Sequence, residues 1–211
     1  MIQVSSLFAV ARVACCLIAV ALYGCSMGPA ERTPVRTYLL DPNFFISADV
    51  VSDNRASLLI SVPKAQPGFE TARMAYLLRP HELGYFAFSQ WADAPARMLL
   101  RLVSQAMEAT GRWYAVVQAP STIRPDYRLD CDNLAVEQQF FSRPSRVRFA
   151  LRAQLIDAKR QSVIGARNFE IFEISSSEDA YGGVVAANQA ATKLLDELTA
   201  WVSTVIDEDL P

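Results

Sequence analysis

His81 is the one histidine in a chain of 211 residues, and it stands between Pro80 and Glu82. No second histidine and no cysteine lies at metal-ligand spacing from it, so it reads as a solvated turn residue. Glu170, Glu173, Glu178 and Asp179 crowd one short stretch. General acid–base work needs two carboxylates whose surroundings push their pKa values apart. These four follow one another along a strand and a loop and read as a solvated edge. The sequence has no G-x-S-x-G, no Walker loop and no G-x-G-x-x-G. Gly182-Gly183 has no Lys-Ser/Thr beside it and reads as the start of a helix. The expectation is no catalytic residue, no metal site and no enzyme. The remaining chemistry belongs to four cysteines: Cys15, Cys16, Cys25 and Cys131.

Cys15 and Cys16 lie inside the run "VACCLIAVALYG", residues 13–24, and Cys25 follows its end. The run carries no charge and has Arg12 just before it. A spanning helix needs about 20 apolar residues. Twelve are too few and suit the apolar region of a secretory leader. Gly28, Pro29 and Pro34 rule out a longer helix. Leu22-Tyr23-Gly24-Cys25 resembles a lipobox, with Leu three before the cysteine and Gly just before it; Tyr23 is larger than the small residue usual there. The resemblance implies cleavage after Gly24 and a diacylglycerol thioether on Cys25, completed by an N-acyl chain such as palmitate. That covalent lipid is the only non-protein group expected; no cofactor is. By the same resemblance to bacterial lipoproteins, Ser26, which is not Asp, implies passage to the outer membrane, with the domain in the periplasm. With Cys15 and Cys16 removed and Cys25 acylated, Cys131 is left alone and reads as a half-buried strand thiol.

Composition narrows the class. Apolar residues make up 52% and the formal net charge is −2, which suits a folded domain rather than disorder. No Lys/Arg cluster with interleaved aromatics suits nucleic acid.

The elements follow from periodicity. Residues 35–42 read as a short strand stopped by Asp41-Pro42, 43–56 as an irregular connection, and "SLLISVPKA" as a buried strand ended by Pro63. Arms at 72–78 and 84–91 form a hairpin around Arg79-Pro80-His81-Glu82. A helix over 95–110 starts after Asp93 as N-cap, with Met98, Leu99, Leu102, Val103, Ala106 and Met107 on one face, and stops at Gly111. "WYAVVQAP" and the region 126–141 are β. In 145–157, Val147, Phe149, Leu151, Ala153 and Leu155 alternate with Arg146, Arg148, Arg152 and Gln154. The strand after 160 returns, with a bulge near Gly165. A long amphipathic helix covers 180–206. The fold class is α/β of the α+β kind: a single domain with a mixed β-sheet and two amphipathic helices packed on it. The expected organisation is a lipoprotein signal peptide at 1–24, lipidated Cys25 and tether at 25–34, the domain at 35–206, and a fraying tail at 207–211.

Order and spacing then carry a resemblance. "YLLDP", "LLISVPKAQPGFETARMAYLLRPHELGYFAFSQWADAPARMLLRLV" and "ATKLLDELTAWV" are similar to the ABC-type transport auxiliary lipoprotein component family. Tyr38, Pro63, Arg73, Met74, Tyr76, Tyr85, Trp91, Pro95, Leu99 and Trp201 carry it, over roughly residues 36–202. The resemblance implies a non-catalytic outer-membrane lipoprotein that serves an ABC permease, an ATPase and an MCE-domain protein in moving lipids between membranes. Outer-membrane lipids are then partners too, self-association stays open, and nucleic acid is not a partner. Phe44, Phe45, Tyr85, Phe86 and Arg143 are the candidate partner contacts, because interfaces favour aromatics and Arg. A lipoprotein that assembles or plugs an outer-membrane secretion or polysaccharide pore would share the anchor and the domain, and stays open as the alternative.

Overall fold

The computed structural model describes residues 33–42 and 56–209. The expected leader, Cys25, most of the tether, the connection with Phe44 and Phe45, and residues 210–211 lie outside the described residues. Eight strands and two helices are described: β1 Arg36–Tyr38, β2 Ser57–Ile60, β3 Arg73–Leu77, β4 Leu83–Trp91, α1 Pro95–Ala109, β5 Ala115–Gln118, β6 Tyr127–Gln139, β7 Arg146–Asp157, β8 Ser162–Ile174 and α2 Ala180–Asp209.

One mixed sheet holds all the described strands. β6, the longest with β8, organises it. One edge of β6 pairs with β7, and β7 with β8, as an antiparallel meander. The other edge is shared: its first residues pair with β2 (Leu58 opposite Tyr127) and its last with β3 (Ala75 opposite Glu137), both parallel. β5 extends the sheet beyond β2, and β4 and β1 extend it beyond β3. β2 is clipped to the start of β6 by Asp126, whose Oδ2 accepts from both N and Oγ of Ser57 at 2.8 Å.

Both helices lie on one face, α1 against β5 and β2, and α2 against β7, β8 and α1. Leu99, Leu102, Phe149, Leu155, Leu194, Leu195 and Leu198 are among the fully buried side chains between them. Ring packing of Phe169 on Trp201, centroids 5.9 Å apart, fixes the distal half of α2. None of the described helices is long and apolar enough to cross a membrane.

Four local features differ from what the pattern suggests. The N-cap of α1 is Ala94, not Asp93; the Asp93 carboxylate instead accepts from Ala94 N at 2.7 Å and faces Arg97. α2 runs past residue 206 to Asp209, because Asp207 pairs with Arg112 and Asp209 with Arg160. Cys131 is fully buried rather than half-buried, and desolvation pushes its thiol up to about 12. β6 has a bulge between Asp132 and Ala135, with Asn133 at φ 54°. Leu129 and Cys131 face the helices before it, Leu134 and Val136 after it, so the bulge changes which residue parity is buried. The bulge expected near Gly165 is present, between Leu155 and Ile156 of the facing strand.

Gly182 and Gly183 do open α2. A Cβ on Gly182 would stand 2.2 Å from the carbonyl oxygen of Ser177, and one on Gly183 would stand 2.4 Å from Oε1 of Gln138. The Asp179 carboxylate accepts from Gly182 N at 2.8 Å, which holds it below the usual carboxylate range. It thus caps a helix start whose backbone is pressed against the chain before it.

Candidate partner-binding surface

The sheet face opposite the helices carries no helix among the described residues. Strand register sets its side chains in rows. Leu83, Leu77, Gln139, Arg146 and Ile174 form the first row across β4, β3, β6, β7 and β8. Tyr85, Ala75, Glu137, Arg148 and Phe172 form the second. Below them come Ala135, Ala150 and Glu170, then Asp132, Arg152 and Asn168.

Opposite charges meet along these rows. Arg148 lies between two carboxylates, at 3.1 Å from Glu137 and 2.5 Å from Glu170. Arg152 reaches Asp132 at 3.3 Å, and Arg146 donates to Gln139 at 3.1 Å while its guanidinium stacks on Phe172. Glu137 is only 3% exposed, and its Oε2 has no hydrogen-bond partner. Desolvation pushes its carboxyl above the usual range despite Arg148. A groove of about 230 Å³ crosses the face, with Ala150 in its floor and Gln66, Asn133, Arg148, Arg152 and Asn168 around it. Both guanidiniums are already neutralised, so the groove presents carboxamides and paired charges rather than a free cation. Among the described residues no group of His, Cys, Asp and Glu could hold a metal ion.

Because the folded pKa of Glu137 is raised, its contribution to stability is full below its ordinary value of 4.5 and is lost as pH rises past its folded value. Glu137→Gln removes this term and keeps an oxygen for Arg148. Its expected effect at pH 7 is small, within roughly 1 kcal/mol, since buried pairs repay little of their desolvation. Urea melts at acidic and neutral pH check this: the variant loses less stability over that interval than the wild type.

The residues singled out by sequence do not converge. Tyr85 lies on the helix-free face, where its hydroxyl donates to the Gly68 carbonyl at 2.8 Å and Arg73 stacks on its ring. Phe86 points the other way and packs on Tyr76 at 5.0 Å and on Phe140 at 6.5 Å. Arg143 is exposed in the β6–β7 turn, and His81 is exposed in the β3–β4 turn. The acids read as one solvated edge have separate partners: Glu170 takes Arg148, Glu173 takes Lys193 at 2.5 Å, Glu178 accepts from Ser145 N, and Asp179 caps α2. Glu137 is not legible as a site residue, because its partner Arg148 arrives through register from 11 positions on, and Glu170, the second carboxylate on that guanidinium, from 33.

A family model described as the ABC-type transport auxiliary lipoprotein component matches residues 38–199. No curated protein matches. The crystal structure of a Xanthomonas campestris protein of family DUF330 is similar at 26% identity and a TM-score of 0.74, covering 83% of this chain and 98% of that one. A hypothetical protein of Chlamydia trachomatis shares the fold at 9% identity and a TM-score of 0.50, over 71% of this chain and 96% of its own.

Proposed function

We propose that this chain, which belongs to the ABC-type transport auxiliary lipoprotein component family, works as a non-catalytic adaptor that ties an MCE lipid-transport system to the outer membrane. The family serves a transporter, so the partner class is an ABC permease with its ATPase; the MCE-domain protein is the finer part of the reading. Residues 1–24 act as a leader, Cys25 carries the lipid, and residues 26–34 act as a tether. At about 3.3 Å per residue the tether reaches roughly 30 Å, so the domain can stand below the membrane that holds it.

The observation that carries the reading is the family match over residues 38–199, nearly the whole described domain. An adaptor needs a stable face with shape and charge pattern, and the helix-free face has both. Tyr85 lies on that face and Arg143 stands in the β6–β7 turn at one end of it, whereas Phe86 packs on the other side; Phe44 and Phe45 remain proposed contacts. Outer-membrane lipids and further copies of the chain complete the proposed surroundings.

A photo-crosslinking residue at Asn168, exposed beside the groove, tests this in cells without touching an ion pair. The expected product is a covalent adduct with an MCE-domain protein. Adducts with a β-barrel alone, and none with an MCE protein, would replace this reading by the pore-assembly one.

A further inference from the structure

The sheet has one end where its exposed apolar side chains collect. β3 and β6 finish there, β4 and β7 begin there, β8 finishes and α2 starts. β1 runs parallel to β4 with Arg36 opposite Ser89, so the chain reaches Val35 from that same end. Of the thirteen exposed large apolar side chains described, eight lie at it, including Val35, Leu78, Phe88, Phe141, Ile174 and Tyr181. They are more than a third exposed, and they come from six different elements and turns. Lone surface apolar residues mean little, but a cluster of them marks a contact. The acids nearby are engaged: Glu82 with Arg79, Glu178 with Ser145 N, and Asp179 at the start of α2. Arg143 makes no ion pair among the described residues, and Arg146 lies 4.2 Å over the Phe172 ring.

We infer that this end lies against the phospholipid surface of the membrane that carries the anchor. The inference rests on the lipid-anchor reading above. What selects a bilayer as the occupant is the length of chain between the domain and its anchor: Cys25 is ten residues before Val35. A tether of this length keeps the end where it enters the domain within about 35 Å of the bilayer at all times. Aromatic and aliphatic side chains with arginines among them suit the headgroup boundary, where the ring or stem meets acyl chain and the guanidinium meets phosphate. The opposite end, where Tyr114 is 78% exposed, stays in water, and the helix-free face stands roughly perpendicular to the membrane, open to a protein partner.

The test uses the full lipidated protein in vesicles of phosphatidylethanolamine and phosphatidylglycerol. Phe141→Cys and Tyr114→Cys each supply one site for a fluorophore. Cys131 is buried with its thiol pushed up to about 12 and does not compete. On adding vesicles, iodide quenching at the Phe141 site is expected to fall roughly threefold and quenching by nitroxide-bearing lipid to appear, as for side chains at the headgroup boundary. The Tyr114 site is expected to show neither change. If the protein floats with the vesicles while both sites stay equally open to iodide, docking is overturned and the anchor stands. If it does not float, the anchor reading fails and docking with it. Protection at Phe141 that is already present in detergent and grows with protein concentration assigns the patch to a second copy and also overturns the inference.

Discussion

Leu198→Asp is expected to abolish the folded domain at physiological temperature. Leu198 is fully buried on α2, between Leu194 and Leu195 on one side and Val202 on the other, all on the face turned to β7 and β8. Truncation to Ala alone costs about 2–5 kcal/mol at such a site. Aspartate adds an ionised group with no cation within this apolar layer, and an unpaired buried charge either stays ionised at high cost or takes up a proton at the cost of its shift. The sum, above roughly 5 kcal/mol, approaches the 5–15 kcal/mol that a domain has in total. Leu102→Asp, 1% exposed on α1, is expected to behave alike, because α1 and α2 close the same core. Ala200→Gln, on the exposed side of α2, is the control and should change stability by no more than about 0.5 kcal/mol. Circular-dichroism melts decide the matter: cooperative unfolding at the wild-type temperature in both Asp variants would overturn the packing of the helices on the sheet.

That core was legible because its signals are local. The stripe from Met98 to Met107 needs only a period of 3.6, and the alternation from Val147 to Leu155 only a period of two, so α1, β7 and their inward faces follow from each segment read alone. The hairpin of β3 and β4 was equally plain from its turn residues. The bulge at Asn133 was hidden, because "DCDNLAVE" can be read with either parity until the partner strand fixes it. The split pairing of β6 was hidden for a related reason: no single strand states that its two halves have different neighbours. The helix-free face suffers most. Its row of Tyr85, Ala75, Glu137, Arg148 and Phe172 is assembled by four pairings, and a shift of one residue in any of them would send half the row to the other face. Sequence showed arginines alternating with apolar residues on β7. Only register shows that Arg148 meets two carboxylates and that one of them, Glu137, is sealed from water. The end of α2 was misjudged on the same ground, since the cations that hold Asp207 and Asp209 come from Arg112 and Arg160.

On the adaptor reading proposed above, Cys25→Ala is expected to release the protein from its membrane altogether. The apolar run 13–24, which ends in Leu22-Tyr23-Gly24 and is followed by Cys25, motivates this expectation, and membership of a lipoprotein family fits it. A single acyl chain gives only marginal, reversible binding, whereas two or more, at about 0.8 kcal/mol per buried CH₂, anchor a protein stably. The apolar end of the domain cannot substitute: its clustered side chains reach only the headgroup boundary and bury far fewer methylene groups than a diacylglycerol. Without the thiol there is no thioether, and without the thioether the lipoprotein peptidase has no substrate. The variant should therefore take up no labelled palmitate and run at the mass of the uncleaved chain, retained by its leader, or appear in the soluble fraction. Its described domain should melt as the wild type does, because Cys25 lies ten residues before Val35, where the compact unit begins. That combination, intact fold with lost address, separates an anchoring role from a structural one. Wild-type sedimentation with outer-membrane fragments, together with cleavage at the usual place, would mean that the membrane holds this protein by something other than its cysteine, and the tether model of the adaptor would have to be given up.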